Sequence, residues 1–309
     1  MTDARFTVAV CTRNRADLLA LCLGALAESV EAAGLAVPVV VVDNASTDAT
    51  PAVAARFADR LDLSALMEPR LGLSHARNAA LAACETEYLV FLDDDAKPLP
   101  GWVGAIRDGI ERWSPDFFGG AYRPFYLDPK PDWLDDERGS AHLDKTEGLQ
   151  PPGTCFSGGN MGWRAALLRE LGGFDPELGM VDGTLRLGEE TQLQLQYYAA
   201  HDDARAVFLE GMEMLHLVPR EKMSVRYWWR RSWNYGWDLA EIDPDDPITR
   251  LSAVDIVRQT RAGLPLVVRL VRRDRARYPT WRSFALAYGG RNAVLAGHLA
   301  RRLIRRTPR

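Results

Sequence analysis

The sequence predicts an α/β fold in which a mostly parallel sheet is flanked by helices, with a helical appendage at the C-terminal end. Three observations support it. Short β-branched runs alternate with amphipathic stretches through the first third of the chain, the spacing of right-handed βαβ units. One of those runs, VPVVVV over 37–42, is continuously apolar, as suits a parallel strand covered on both faces. Beyond Pro244 and Pro247 the pattern changes to long, Arg-rich stretches of helical periodicity.

Taken in order, Phe6–Thr12 (FTVAVCT) reads as the first strand, and 15–33 sets Leu19, Cys22, Leu23 and Leu26 on one helical face. The second strand, 37–42, runs into the polar loop Asp43–Asp48, where Ser46 or Asp48 can cap a helix extending to Ala58. A third strand is expected over 61–67 and a helix over 74–84. A fourth strand over 88–92 (YLVFL) ends in Asp93, Asp94 and Asp95. Residues 122–153, rich in Pro, Asp and Gly, read as a long loop, and Gly172-Gly173 as a helix stop. A helix over 188–200, strands within 206–217, a Trp-rich helix over 223–240 and two C-terminal helices, 251–273 and 281–305, complete the pattern.

At 309 residues and 47% hydrophobic content, the chain can bury a large α/β core and still carry an appendage, and it is not of disordered composition. The net charge of -4 gives no global sign of a nucleic-acid partner. It hides an asymmetry, because Arg269–Arg309 holds 12 Arg and one acid. Cys11, Cys22, Cys84 and Cys155 show neither CxxC nor metal-ligand spacing, which fits a reducing compartment. The first strand begins too early for a signal peptide, and no apolar run reaches bilayer-spanning length. A cytoplasmic location is therefore expected, with peripheral contact on the inner face of a membrane as an option.

In open sheets of this kind, ligands sit beyond the carboxyl ends of the strands. The polar clusters Thr12-Arg13-Asn14, Asp43-Asn44 and Asp93-Asp94-Asp95 all fall there. Adjacent carboxylates repel and are costly to hold together without a cation, and hard oxygen ligands favour Mg²⁺ or Mn²⁺. The competing reading is a solvated acidic turn. Gly158-Gly159-Asn160 offers close backbone approach and an amide suited to sugar hydroxyls, or else a strand-edge bulge. Glu189 and Glu190 open a helix, where acids also complement the helix dipole. His216 stands in MLHLVP, as a supplementary metal ligand or a structural residue.

In content and order, VAVCTRNRADLLALCLGAL, VVVVDNASTD, GLSHARNAAL, YLVFLDDDAKP, SGGNMGWRAALLRELGGFDPELG and GEETQLQLQ resemble a family-2 glycosyltransferase. The resemblance covers roughly Phe6–His216. It implies the GT-A fold and transfer, with inversion, from a nucleotide diphospho-sugar; UDP is favoured, with dTDP and GDP open. Carried over residue by residue, it implies that Thr12, Arg13 and Asn14 line the nucleotide pocket and that Asp43 accepts a hydrogen bond from the base. Arg77 would hold nucleotide or diphosphate, the alternative being a helix-surface Arg. Asp93, Asp94 and Asp95 occupy the DxD position, with Asp93 toward ribose and Asp95 toward metal, and His216 would be a further ligand. The GEE sequence stands where the family usually has Glu-Asp, so Glu190 is the candidate base; Asp-to-Glu replacement leaves Glu189 as the other choice.

The chain thus divides into a nucleotide-sugar-binding catalytic region, 1–222, and a helical region, 223–309, for acceptor, membrane-surface or dimer contacts. Trp229, Trp233 and Trp237 are spaced along one helical face among arginines and could stack on sugars, rest at a membrane interface or pack in a core. The acceptor is open among carbohydrate, lipid-linked and small-molecule nucleophiles. Two rivals remain: a sugar-phosphate nucleotidyltransferase, which would want a Gly-rich loop after the first strand, and a non-catalytic carbohydrate-binding protein. For the Arg-rich C-terminus, packing on the chain or a second subunit competes with membrane contact; no nucleic-acid module accompanies the charge.

Overall fold

In the computed structural model, residues 4–178, 188–242, 251, 254, 255, 258 and 280–305 are described. Most of the expected helix over 251–273 and all five arginines of 269–279 lie outside them. Two compact units emerge: Met1–Phe125 with Gly139–Thr184 and Glu189–Leu217, and Tyr126–Arg138 with Leu185–Gly188 and Val218–Arg309.

The first unit is built on β1 (Phe6–Thr12), α1 (Ala16–Ala33), β2 (Pro38–Asp43), α2 (Thr50–Arg56), β3 (Asp62–Met67), α3 (Leu73–Ala83) and β4 (Tyr88–Leu92). It continues through β5 (Ala96–Pro98), α4 (Trp102–Trp113), β6 (Phe117–Gly119), β7 (Tyr122–Phe125), β8 (Gly148–Leu149), β9 (Asn160–Arg164), α5 (Ala165–Glu170), α6 (Glu189–Ala200), β10 (Ala206–Phe208) and β11 (Met214–Leu217). Eight strands form one sheet in the order β3-β2-β1-β4-β9-β6-β10-β8, parallel except where β9 and β8 join. A second sheet runs β5-β11-β7.

Strand alternation decides which residues reach which core. Val8 and Val10 of β1 face Leu19, Leu23 and Leu26 of α1, whereas Ala9 faces Ala76 and Ala80 of α3. The three α1 leucines are fully buried, each worth roughly 1.5–3 kcal/mol of transfer free energy. After α1, Gly34 adopts φ 59° and its N–H returns to the Glu31 carbonyl, a left-handed stop. Asp48 Oδ1 accepts from the Thr50 N–H and hydroxyl at the start of α2, and Oδ2 from the Ala16 N–H at the start of α1. One carboxylate thereby ties two helix entries together.

Residues 122–153 are mostly irregular, as their composition suggests, but are interrupted by short elements. They hold β7, a 3₁₀ turn (Asp136–Gly139) and β8, and Tyr126–Arg138 belongs to the second unit. Short paired strands leave too few residues for a periodicity to show.

The second unit contains α7 (Val225–Ile242) and α8 (Trp281–Arg305), with Trp133, Leu134, Val218, Trp228 and Leu286 buried together. Its helices approach closely because α8 supplies glycine at the contact. A Cβ on Gly297 would lie 2.2 Å from the Trp233 carbonyl oxygen, and one on Gly289 would lie 2.3 Å from Trp229 Nε1.

Candidate active site

Parallel pairing sets Thr12 beside Asp43 at the carboxyl ends of β1 and β2, and β4 delivers Asp93, Asp94 and Asp95 at the same edge. Thr12 is buried and Arg13 half-buried. Asn14 takes φ 52°; its N–H donates to Ser46 Oγ, and its Oδ1 accepts from the Thr47 N–H and hydroxyl. It joins the two loops. Asp43 Oδ1 accepts from the Ser46 N–H and lines a cavity of about 660 Å³ with Ser46, Thr47, Met67 and Pro69.

The acidic cluster is completed by β11. Antiparallel pairing with β5 sets His216 opposite Ala96, and the Leu217 N–H donates to the Asp95 carbonyl. His216 Nε2 lies 3.3 Å from Asp95 Oδ1 and 3.6 Å from Asp93 Oδ2. Burial alone would lower the imidazole pKa, but the adjacent Asp93 and Asp95 carboxylates outweigh it and push it up to about 9. One ligand atom each from Asp93, Asp95 and His216 lies within 4.8 Å of the others. Two hard carboxylates with one imidazole are a donor set that fits Mn²⁺ or Mg²⁺.

Asp94 points to a different partner. Arg15, at the entry of α1, sets Nη1 2.8 Å from Asp94 Oδ1 and 3.2 Å from Asp95 Oδ2. Burial pushes the Asp94 carboxyl up to about 6, with Arg15 opposing that rise and Asp95 adding to it. Arg15 was not among the residues singled out from sequence. The usable signal was electrostatic: three adjacent carboxylates need a nearby cation, and the loop after β1 carries one.

Gly159 holds the cluster from below. Its carbonyl accepts from the Asp93 N–H, and a Cβ there would sit 2.0 Å from Asp93 Oδ2. Asn160 corrects the sequence reading. Fully buried, its Nδ2 donates to the Ala121 and Met212 carbonyls, and its Oδ1 accepts from Trp102 Nε1. The amide is spent on joining β9 to its neighbours and does not face a ligand.

Arg77 is not the helix-surface residue that the sequence left as its alternative. It is buried on α3 between the rings of Phe91 and Phe174, and its Nη1 donates to Glu189 Oε1 at 2.8 Å. Glycine at 158 allows that position, since a Cβ there would lie 2.5 Å from Arg77 Nη2. The pairing divides the two acids of α6. Glu189 is buried and ion-paired. Glu190 is half-buried, and burial first, then the Glu189 charge, pushes its carboxyl up to about 7 against the opposing effect of Arg77.

A parallel α/β sheet with an Asp-Asp-His cluster at the carboxyl edge of its strands is the arrangement that the resemblance to the GT-A class implies. Comparison with known proteins agrees. Residues 7–172, more than half of the chain, match the family described as glycosyl transferase family 2, and the chain belongs to it. A stretch of 111 residues is 39% identical to the succinoglycan biosynthesis protein ExoO of Rhizobium meliloti (strain 1021), covering 36% of this chain and 29% of that protein. The chain thus aligns with less than a third of that relative's length.

Solved structures share the fold. The mannosyltransferase PcManGT from Pyrobaculum calidifontis, in complex with GDP-Man and Mn²⁺, superposes with a TM-score of 0.57 at 22% identity, over 97% of this chain and 86% of that one. S. aureus TarS 1–349 in complex with UDP gives 0.55 at 16% identity, over 98% and 91%.

Proposed function

We propose that the chain moves a sugar, with inversion, from a nucleotide diphospho-sugar to an acceptor hydroxyl or similar nucleophile, with Glu190 as the base. The observation that carries this reading is the partition of the α6 acids: Arg77 pairs with Glu189, and Glu190, without that ion pair, is pushed up to about 7. A base is most effective when its pKa lies near the working pH. Glu190 would take the acceptor's proton as the acceptor oxygen attacks the anomeric carbon. The bond to the diphosphate oxygen breaks in the same displacement, and its electron pair leaves with the nucleoside diphosphate.

Asp93, Asp95 and His216 would hold a divalent cation, whose chemistry is to neutralise charge on the departing diphosphate. Thr12, Arg13 and Asp43 bound the cleft on the nucleotide side, and Asp43 retains the base contact in this reading. The solved relatives hold UDP and, in the mannosyltransferase, GDP-Man with Mn²⁺, which supports a nucleotide-sugar donor here. UDP-sugars are tested first. All of these residues lie in the first unit; in this reading the catalytic region is 1–222, and 223–309 serves acceptor, membrane-surface or dimer contacts.

The test is a panel of UDP-, GDP- and dTDP-sugars with Mn²⁺ or Mg²⁺, read by thermal stabilisation and by release of nucleoside diphosphate. One donor series should raise the melting temperature with metal and not with chelator. NMR of the product should show the opposite anomeric configuration to the donor. Retained configuration, or equal stabilisation in chelator, would overturn the reading.

A further inference from the structure

The second unit presents a helical face that holds none of the residues assigned to transfer. On α7, Arg226, Trp229, Arg230 and Trp233 follow the i, i+3, i+4, i+7 spacing of a single stripe, and all four are exposed. Trp229 remains at the surface because its indole lies across α8. Its Nε1 donates to the Ala285 carbonyl at 3.0 Å, and Gly289 leaves room for the ring. The one polar atom of the indole is thus satisfied within the protein.

Ala285 and Gly289 continue a stripe of α8 that begins, four residues earlier, at Trp281. That side chain is 73% exposed, and the Arg282 guanidinium lies 5.5 Å from its ring centre. The two stripes meet at Trp229. Helix α8 contains no carboxylate, and those of α7, Asp238 and Glu241, fall toward its C-terminal end.

We propose that this face lies on an anionic lipid bilayer, its indoles at headgroup depth and its arginines on the lipid charges. Indoles favour that interface because they pair an apolar ring with one polar atom, and paired helices can lie in its plane. Basic residues near the surface add roughly 1 kcal/mol each, about fivefold in partitioning. The 12 arginines against one acid over Arg269–Arg309 add attraction of the same sign. A second copy of this chain is the poorer occupant, because a two-fold contact would set Arg226 and Arg230 against their own equivalents. The inference is independent of the donor and base assignments.

The experiment uses the full chain with vesicles of phosphatidylcholine, with and without phosphatidylglycerol, at low salt. Co-sedimentation is expected with the anionic vesicles only and should be lost at high salt. Brominated lipid should quench the tryptophan fluorescence. Arg226→Gln with Arg230→Gln should weaken partitioning by about 25-fold, and Trp281→Ser should reduce the quenching. These side chains are exposed, so circular dichroism and nucleotide binding should match the parent and report that each variant folds. Equal binding to neutral vesicles, no binding at low salt, or unchanged partitioning of the double variant would overturn the proposal. So would self-association lost in the same variants, or preferential capture of polyuridylate.

Discussion

Glu190→Gln tests the division of labour on α6 through stability as well as rate. Burial, reinforced by Glu189 and opposed by Arg77, takes the Glu190 carboxyl from an ordinary 4.5 to about 7. Folding therefore raises its proton affinity. Its contribution to stability is fully present below about pH 4.5 and is lost as pH rises through 7, where the folded chain must carry a buried charge. At roughly 1.4 kcal/mol per factor of ten in proton affinity, that displacement sets a ceiling of about 3 kcal/mol. Partial exposure of the carboxyl reduces the expectation to about 1–2 kcal/mol. Glutamine keeps the shape and cannot ionise, so the variant should be more stable than the parent by that amount at about pH 8.5, and the gap should close near pH 4.5. Urea denaturation at the two pH values measures it. Turnover should fall about 100-fold, and the rise in rate through pH 7 should vanish. A stability gap that is the same at both pH values would refute the burial argument. Inactive Glu189→Gln beside fully active Glu190→Gln would exchange the two roles.

The sheet and the acidic strand end were legible because both rest on local patterns. β4 covers the residues read as the fourth strand, whose short apolar and aromatic run ends at Asp93. What escaped depends on chain crossings far apart in sequence. Asn160 meets Trp102, Ala121 and Met212, and Arg77 meets Glu189 across 112 positions, so nothing near either residue in sequence shows these partners. Arg15 escaped for a related reason: its partners, Asp94 and Asp95, lie some 80 positions away. Sequence order could identify the two acids of α6, but only the position of Arg77 separates them.

Asp95→Asn should abolish the Mn²⁺ dependence of nucleotide binding in calorimetry. Asp94→Asn should largely keep it, because Asp94 faces Arg15 instead of His216. Arg77→Gln should cost about 3–5 kcal/mol in urea unfolding, the usual loss when one partner of a buried ion pair is removed. Gly159→Ala separates positioning from stability. Its Cβ would fall 2.0 Å from Asp93 Oδ2, while the Gly159 carbonyl is held by the Asp93 N–H and the next residue, Asn160, is fixed by three hydrogen bonds. The backbone has little freedom to retreat, so the Asp93 carboxylate must swing away from Asp95 and His216. Mn²⁺ affinity should then fall at least about tenfold, the loss expected when support for a metal ligand is disturbed. Gly158→Ala is the control: its Cβ would meet the far end of the Arg77 side chain at 2.5 Å, and the strain should appear in stability with Mn²⁺ affinity preserved. Unchanged Mn²⁺ affinity in Gly159→Ala would mean that Asp93 turns freely and that glycine at 159 does not set the metal geometry.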